Sequence, residues 1–234
     1  MKKVNKKKKR KVAIFDIDGT IFRSSLLIEV TEALIQEKIF PRKAEDVYKK
    51  AYKRWTERKG SYEDYIMAVV DAFLANIKGV KPKDFARIAK NVITFHRNRV
   101  YRYTRDLVKE LHKKDYYLLA ISLSPKEIVQ EFAKTLGFDK TYGLIYEVGA
   151  NKKFTGRTLE DIIFDKAKIL KRVIGKEGLT LKNSIGVGDS EGDITFLKMV
   201  QTPICFNPNK KLYTTAKKNG WKIVVERKDM VYKL

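Results

Sequence analysis

Residues 11–20 read Lys11-Val-Ala-Ile-Phe15-Asp16-Ile17-Asp18-Gly19-Thr20, and this stretch decides the fold. Four consecutive apolar residues, Val12 to Phe15, suit a short strand buried on both faces. Two carboxylates follow at once, and Gly19 marks a tight turn where backbone approaches something closely. A strand buried on both faces needs strands beside it and helices above and below. The rest of the chain supplies them in alternation.

From Thr104 onward the pattern predicts a helix over 106–113 and a buried strand over 116–121, then a helix from Pro125. Tyr142 to Tyr146 reads as a strand, with Gly149 to Lys153 turning a hairpin that returns through Phe154-Thr-Gly156. Further helices are expected over 164–174, 194–200 and 210–219, and strands over 184–187, 203–206 and 222–225. Strand and helix alternating at this spacing make an α/β protein with a parallel sheet covered on both faces. Residues 24–102 read as helical, with apolar stripes such as Leu26, Leu27, Val30, Leu34 and Ile35 and breaks at Gly60 and at Gly79–Pro82. A helical insertion thus interrupts the α/β core just after its first strand.

Composition narrows the function classes. The chain has 234 residues, 44% of them hydrophobic, which is enough to build a core and excludes a wholly disordered protein. Its net charge of +23 points to an anionic substrate or partner without choosing among phosphates, nucleic acid and acidic membranes. Residues 1–11 hold eight Lys/Arg and no acid, and are expected to form a solvated basic tail. The apolar run after them stops at Asp16, too short for a signal peptide, and no stretch reaches the roughly 20 apolar residues of a membrane span. Cys205 excludes an intramolecular disulfide framework, and its surroundings read as buried core. Soluble and cytoplasmic is the expectation.

In open α/β sheets the chemistry gathers at the carboxyl ends of the strands. Asp16 and Asp18 follow the first strand, Ser122 follows the strand 116–121, and Asp189 and Asp193 follow the strand 184–187. Lys166 lies at the start of a helix. Acidic loops converging at one sheet edge suit a hard cation with oxygen ligands, Mg²⁺ among them. Asp and Ser also cap helices and open turns, so each motif alone has a structural reading. The ordered set does not.

Phe15-Asp16-Ile17-Asp18-Gly19-Thr20 resembles the signature loop of the haloacid dehalogenase superfamily of phosphohydrolases. The strand ending in Ser122, with Leu123-Ser124-Pro125 after it, resembles the second motif of that family. Lys166 resembles the third, with Lys168 its competitor, and Gly186-Val-Gly188-Asp189-Ser190-Glu-Gly-Asp193 resembles the fourth. The insertion and the hairpin leading to Thr155-Gly156-Arg157 resemble the phosphoserine-phosphatase-like branch. The resemblance implies a Rossmann-like core over 12–22 and 103–234 and a helical cap over 23–102. It implies Asp16 as nucleophile forming an aspartyl-phosphate, and Asp18 as general acid and base. It implies phosphate contacts from Gly19, Ser122, Leu123 and Lys166, and Mg²⁺ held by Asp16, Asp18 through its carbonyl, and Asp189, with Asp193 supporting.

The resemblance leaves the substrate to the insertion. Phosphoserine phosphatases carry a Glu nine residues after the nucleophile to bind the substrate amino group. Ser25 stands there instead, and a neutral hydroxyl does not stabilise an ammonium as a carboxylate does. Ser25 and Arg23 are therefore the specificity candidates, favouring a small and more anionic phosphorylated substrate than phosphoserine. The alternative is a nucleotide or polynucleotide phosphatase, or a nucleic-acid-binding protein using its basic surface. Its evidence is the tail and the aromatic-basic stretches 48–59 and 96–105. However, Tyr48, Tyr52 and Trp55 fall at the spacing of one helix face packed into a core.

Overall fold

The computed structural model describes residues 9–159 and 161–234. Residues 1–8 of the expected tail lie outside the described residues. The last two residues of that tail belong to the folded chain. Lys11 opens the first strand, while Arg10 pairs with Asp139 at 3.1 Å and donates to the Tyr116 carbonyl at 2.9 Å. An arginine with a carboxylate and a carbonyl in reach is held in place rather than solvated.

The chain runs through β1 (Lys11–Phe15), then α1 (Leu26–Gln36), α2 (Ala44–Thr56), α3 (Tyr62–Ile77), α4 (Pro82–His96) and α5 (Arg102–Lys113). Next come β2 (Tyr117–Pro125), α6 (Lys126–Lys134), β3 (Lys140–Leu144), β4 (Tyr146–Val148) and β5 (Phe154–Thr158). The remainder is α7 (Lys166–Glu177), β6 (Thr180–Gly188), α8 (Ile194–Leu197), β7 (Thr202–Phe206), α9 (Lys210–Asn219), β8 (Lys222–Arg227) and β9 (Met230–Lys233). Strands form a sheet in the order β3-β2-β1-β6-β7-β8-β9, parallel except for the last pair. β1 lies between β2 and β6, so the carboxyl ends of the three strands that carry the candidate residues are adjacent. Val12, Ala13, Ile14 and Phe15 are all fully buried, as a strand with helices on both faces requires.

Several expectations shift in the structure. The strand expected over 142–146 is two strands. β3 stays in the sheet beside β2, while Tyr146 turns away to set its ring against Phe73 and Phe154, at 5.3 and 6.2 Å. α5 starts at Arg102, a turn earlier than expected, because its first amides donate to a carboxylate far off in sequence. Glu226 accepts from Arg102 N at 3.0 Å and from Tyr103 N at 2.8 Å. β9 adds an antiparallel edge strand after a turn at Lys228, whose φ is 55°. At four residues, and largely exposed, it carries too little apolar pattern to be read in advance. The helix expected over 194–200 shortens to α8, preceded by a 3-10 turn at Glu191–Asp193.

The helices of the insertion pack on one another and on the β4–β5 hairpin. Gly79 N donates to the Phe154 carbonyl at 2.8 Å and Phe154 N to the Val80 carbonyl at 2.9 Å, which stitches the hairpin to the α3–α4 turn. Phe40, Phe73, Phe85, Tyr146 and Phe154 share edge-on and tilted ring contacts at this junction. The aromatic face of α2 is packed only in part, since Tyr52, expected in the core beside Tyr48 and Trp55, is 46% exposed. Tyr48 is buried, and Trp55 stacks on Tyr65 of α3 at 5.5 Å. Truncating Phe154, which is 3% exposed, removes the ring that joins hairpin and helices. Phe154→Ala is expected to lower unfolding free energy by about 3–5 kcal/mol, read from urea denaturation.

Candidate active site

Asp16 closes β1 and is 6% exposed. Its Oδ1 accepts from Lys166 Nζ at 2.6 Å, whereas Oδ2 is buried with no hydrogen-bond partner among the described residues. Lys166 is the first residue of α7, whose N-cap Asp165 accepts from the Ala167 and Lys168 amides. That geometry aims Lys166 inward and leaves Lys168 70% exposed beside Asp165, which decides between the two lysines. Lys166 Nζ also lies 2.6 Å from Asp193 Oδ1. Burial alone would lower the ammonium's pKa, but Asp16 and Asp193 outweigh it and hold Lys166 above the usual lysine range.

Asp193 is fully buried and fully used. Its Oδ1 takes Lys166, and its Oδ2 accepts the Asp189 and Ser190 amides at 2.9 and 3.1 Å. It ties the loop after β6 to the lysine. Gly188 is required beside it, since a Cβ there would stand 2.5 Å from Asp193 Cγ. Asp189 ends up against the signature loop: a Cβ on Gly19 would meet Asp189 Oδ2 at 2.1 Å. Carboxylate oxygens of Asp16, Asp189 and Asp193 lie within 4.8 Å of one another. An orphaned buried oxygen on Asp16, a neighbouring Asp189 carboxylate and an all-oxygen donor set fit a hard divalent cation.

Two expected roles look different in place. The Gly19 amide donates to the Phe22 and Ser24 carbonyls at 3.0 and 3.1 Å, so it is committed within its own loop rather than offered to a phosphate. What position 19 requires is a φ of 76° and no Cβ. The Asp18 side chain stands outside the three-carboxylate cluster, which is compatible with the cation contact expected through its carbonyl. Its Oδ1 accepts from Leu26 N at 2.5 Å, and its Oδ2 from Ser122 Oγ at 2.5 Å and Ser124 Oγ at 2.9 Å. Burial pushes the Asp18 pKa up, and these three donors pull against it. Ser122 is fully buried, and its proton points at Asp18, so donation to a phosphoryl group requires the hydroxyl to turn. Leu123 lies between the serines with its side chain 47% exposed.

Of the specificity candidates, Arg23 is exposed and lays its guanidinium over the Tyr101 ring at 5.5 Å. Ser25 is the buried N-cap residue of α1, yet its side chain caps nothing. Sequence reasoning missed three groups. Ser124 was legible, because Ser-x-Ser on a strand puts both hydroxyls on one face. Glu29, 8% exposed, holds Arg99 at 2.7 Å and His96 at 3.2 Å, partners about seventy positions away that no local pattern announces. Tyr62, at the start of α3, is 43% exposed and lies near enough to feel the site's charge. Burial, then the Asp18 and Asp189 carboxylates, push its phenol pKa up.

The cluster carries uncompensated negative charge. Burial, followed by the Asp193 and Asp18 charges and opposed by Lys166, pushes Asp16 up to about 7 from the ordinary 3.8, and Asp189 is raised with it. Because the folded chain holds the Asp16 proton to higher pH than the unfolded chain, that stabilisation is complete below about 3.8 and is lost as pH rises through about 7. In EDTA the melting temperature is therefore expected to fall over this window. Asp16→Asn should flatten the slope, and Mg²⁺ should raise the melting temperature most at its upper end. A slope unchanged by the substitution contradicts the assignment.

Residues 13–198 match the haloacid dehalogenase-like hydrolase family. A Streptomyces azureus protein described as an inhibition of morphological differentiation protein is 25% identical, covering 92% of this chain and 78% of its own length. The phosphoserine phosphatase SerB1 of Mycobacterium tuberculosis is 25% identical, over 90% of this chain and 69% of its own. Among solved structures, a Bordetella pertussis Tohama I protein of unknown function superposes with a TM-score of 0.73 at 19% identity, covering 92% and 98% of the two chains. A phosphoserine phosphatase caught as a phospho-aspartyl intermediate analogue gives 0.61 at 23% identity, over 95% and 96%. With the motif residues gathered at one sheet edge, the chain belongs to the haloacid dehalogenase-like hydrolase family.

Proposed function

We propose that the chain is a Mg²⁺-dependent phosphatase that hydrolyses a small phosphomonoester through an aspartyl-phosphate on Asp16. The observation that carries this reading is the unpartnered Oδ2 of Asp16, buried where the ends of β1, β2 and β6 meet. Asp16, Asp189 and the Asp18 carbonyl would hold the cation, with Asp193 behind them. When bound, it supplies positive charge that offsets repulsion between carboxylate and phosphate.

An Asp16 carboxylate oxygen attacks phosphorus, and the bond from phosphorus to the leaving oxygen breaks. Asp18 passes a proton to that oxygen, then takes one from the water that attacks the acyl phosphate. The bond between phosphorus and Asp16 breaks and inorganic phosphate leaves. Lys166 sits against Asp16 and offsets negative charge on the transferring group, and Ser122 turns its hydroxyl toward it. Residues 23–102, together with the β4–β5 hairpin that packs on them, act as a cap that selects the leaving group. Arg23, Ser25 and Tyr62 stand on its site-facing side.

A nucleophile only 6% exposed favours a terminal phosphoryl group over the backbone of a polymer. The arginines of the 96–105 stretch also support this choice over a nucleic-acid surface, because several bond within the chain. Arg99 pairs with Glu29, Arg102 with the Asp229 carbonyl and Arg105 with Asp106.

Release of inorganic phosphate from a panel of phosphomonoesters, with and without Mg²⁺, tests the reading. Asp16→Asn is expected to lower kcat by about a thousandfold or more, as loss of a nucleophile does elsewhere. Phosphate release that survives this substitution, or RNA binding with no hydrolysis at all, would overturn it. Arg23→Ala should reorder preference within the panel, raising KM most for substrates with a second anionic group. An unchanged ranking removes Arg23 from recognition.

A further inference from the structure

We infer that Ser124 is a positioning residue for proton transfer by Asp18, through a bridge that fastens Asp18 to the N-terminus of α1. The inference rests on the acid and base role proposed for Asp18 and adds to it a residue to which the motifs assign no role.

Ser25 occupies the N-cap of α1 in the extended conformation that capping serines adopt, with φ −111° and ψ 131°, yet makes no cap bond. The first amides of the helix are met from elsewhere. Leu26 N donates to Asp18 Oδ1 at 2.5 Å, and Leu27 N donates to Ser124 Oγ at 3.1 Å. Ser124 Oγ in turn donates to Asp18 Oδ2 at 2.9 Å. Asp18 and Ser124 together replace the missing cap, and each fixes the other.

The proton count assigns different parts to the two serines. A hydroxyl has one proton to give. Ser122 Oγ accepts the Ser124 amide at 2.9 Å and gives its proton to Asp18, but it is also the group expected to turn to the phosphoryl oxygen. When it turns, Asp18 loses that contact. Ser124 cannot follow. It is 3% exposed, and because its oxygen accepts Leu27 N its proton stays directed at Asp18. β2 makes this possible by running on through Pro125, with a register shift after Ile121, so that Ser122 and Ser124 share a face while Leu123 faces out. Ser124 is thus the hydroxyl that still orients Asp18 while the leaving group departs.

The alternative is that Ser124 only caps α1. Two aryl phosphates of similar shape separate the two roles. Phenyl phosphate releases a basic phenolate that needs a proton, while p-nitrophenyl phosphate releases a stable anion that needs little help. For Ser124→Ala, kcat/KM is expected to fall about tenfold with phenyl phosphate and under about threefold with p-nitrophenyl phosphate, a fraction of what a general acid supplies. Partial unfolding lowers both alike and cancels in their ratio, so the result stands even if the variant is less stable. Ser124→Thr, which keeps the hydroxyl, should restore the wild-type ratio. An equal fall with both substrates, or a ratio that Thr does not restore, reduces Ser124 to a helix cap. Asp18→Asn, measured alongside, keeps the outcomes apart. If it too leaves the ratio unchanged, the acid role of Asp18 is at fault rather than the positioning by Ser124.

Discussion

One ammonium group lets this site exist. Lys166 Nζ stands 2.6 Å from Asp16 and 2.6 Å from Asp193, with all three side chains nearly or wholly out of solvent. A buried carboxylate without a partner costs several kcal/mol, and here four converge at one sheet edge. The structure treats them unequally. Asp193 has the lysine and two backbone amides, and Asp18 has two hydroxyls and an amide. Among the described residues, Asp16 has the lysine on one oxygen and nothing on the other, and the Asp189 carboxylate accepts no hydrogen bond. Negative charge is therefore balanced everywhere except where Asp16 and Asp189 face each other, and that is where a cation has most to offset.

The fold was legible in proportion to how local its causes are. β1 and α9 come out with the bounds their patterns give, because an apolar run of four and an Asn209 cap followed by a Gly220 stop are written in consecutive residues. The start of α5 was not legible, since its amides are met by Glu226. Nor was the division between β3 and β4, which depends on where the Tyr146 ring finds Phe73.

The same rule governs the site. Asp16, Asp189 and Lys166 could be placed by position at strand and helix ends. The commitment of the Gly19 amide to its own loop, and the pairing of Glu29 with Arg99 and His96, are tertiary facts. The net charge of +23 turned out to be the least local clue of all. It is spread over tail, insertion and core, while the chemistry sits in a small pocket of opposite sign.

The two hydrogen bonds between Phe154 and the Gly79–Val80 turn bear on how such a protein is put together. The helical insertion looks like a cassette between β1 and β2, a segment to be exchanged whole for another. But its core is closed by a hairpin that the chain delivers only after β3, more than forty residues beyond α4. A graft that moved the helices alone would leave Tyr146 and Phe154 facing water and the helices lacking a wall. The unit of exchange is two segments, and a swap of this region has to carry both.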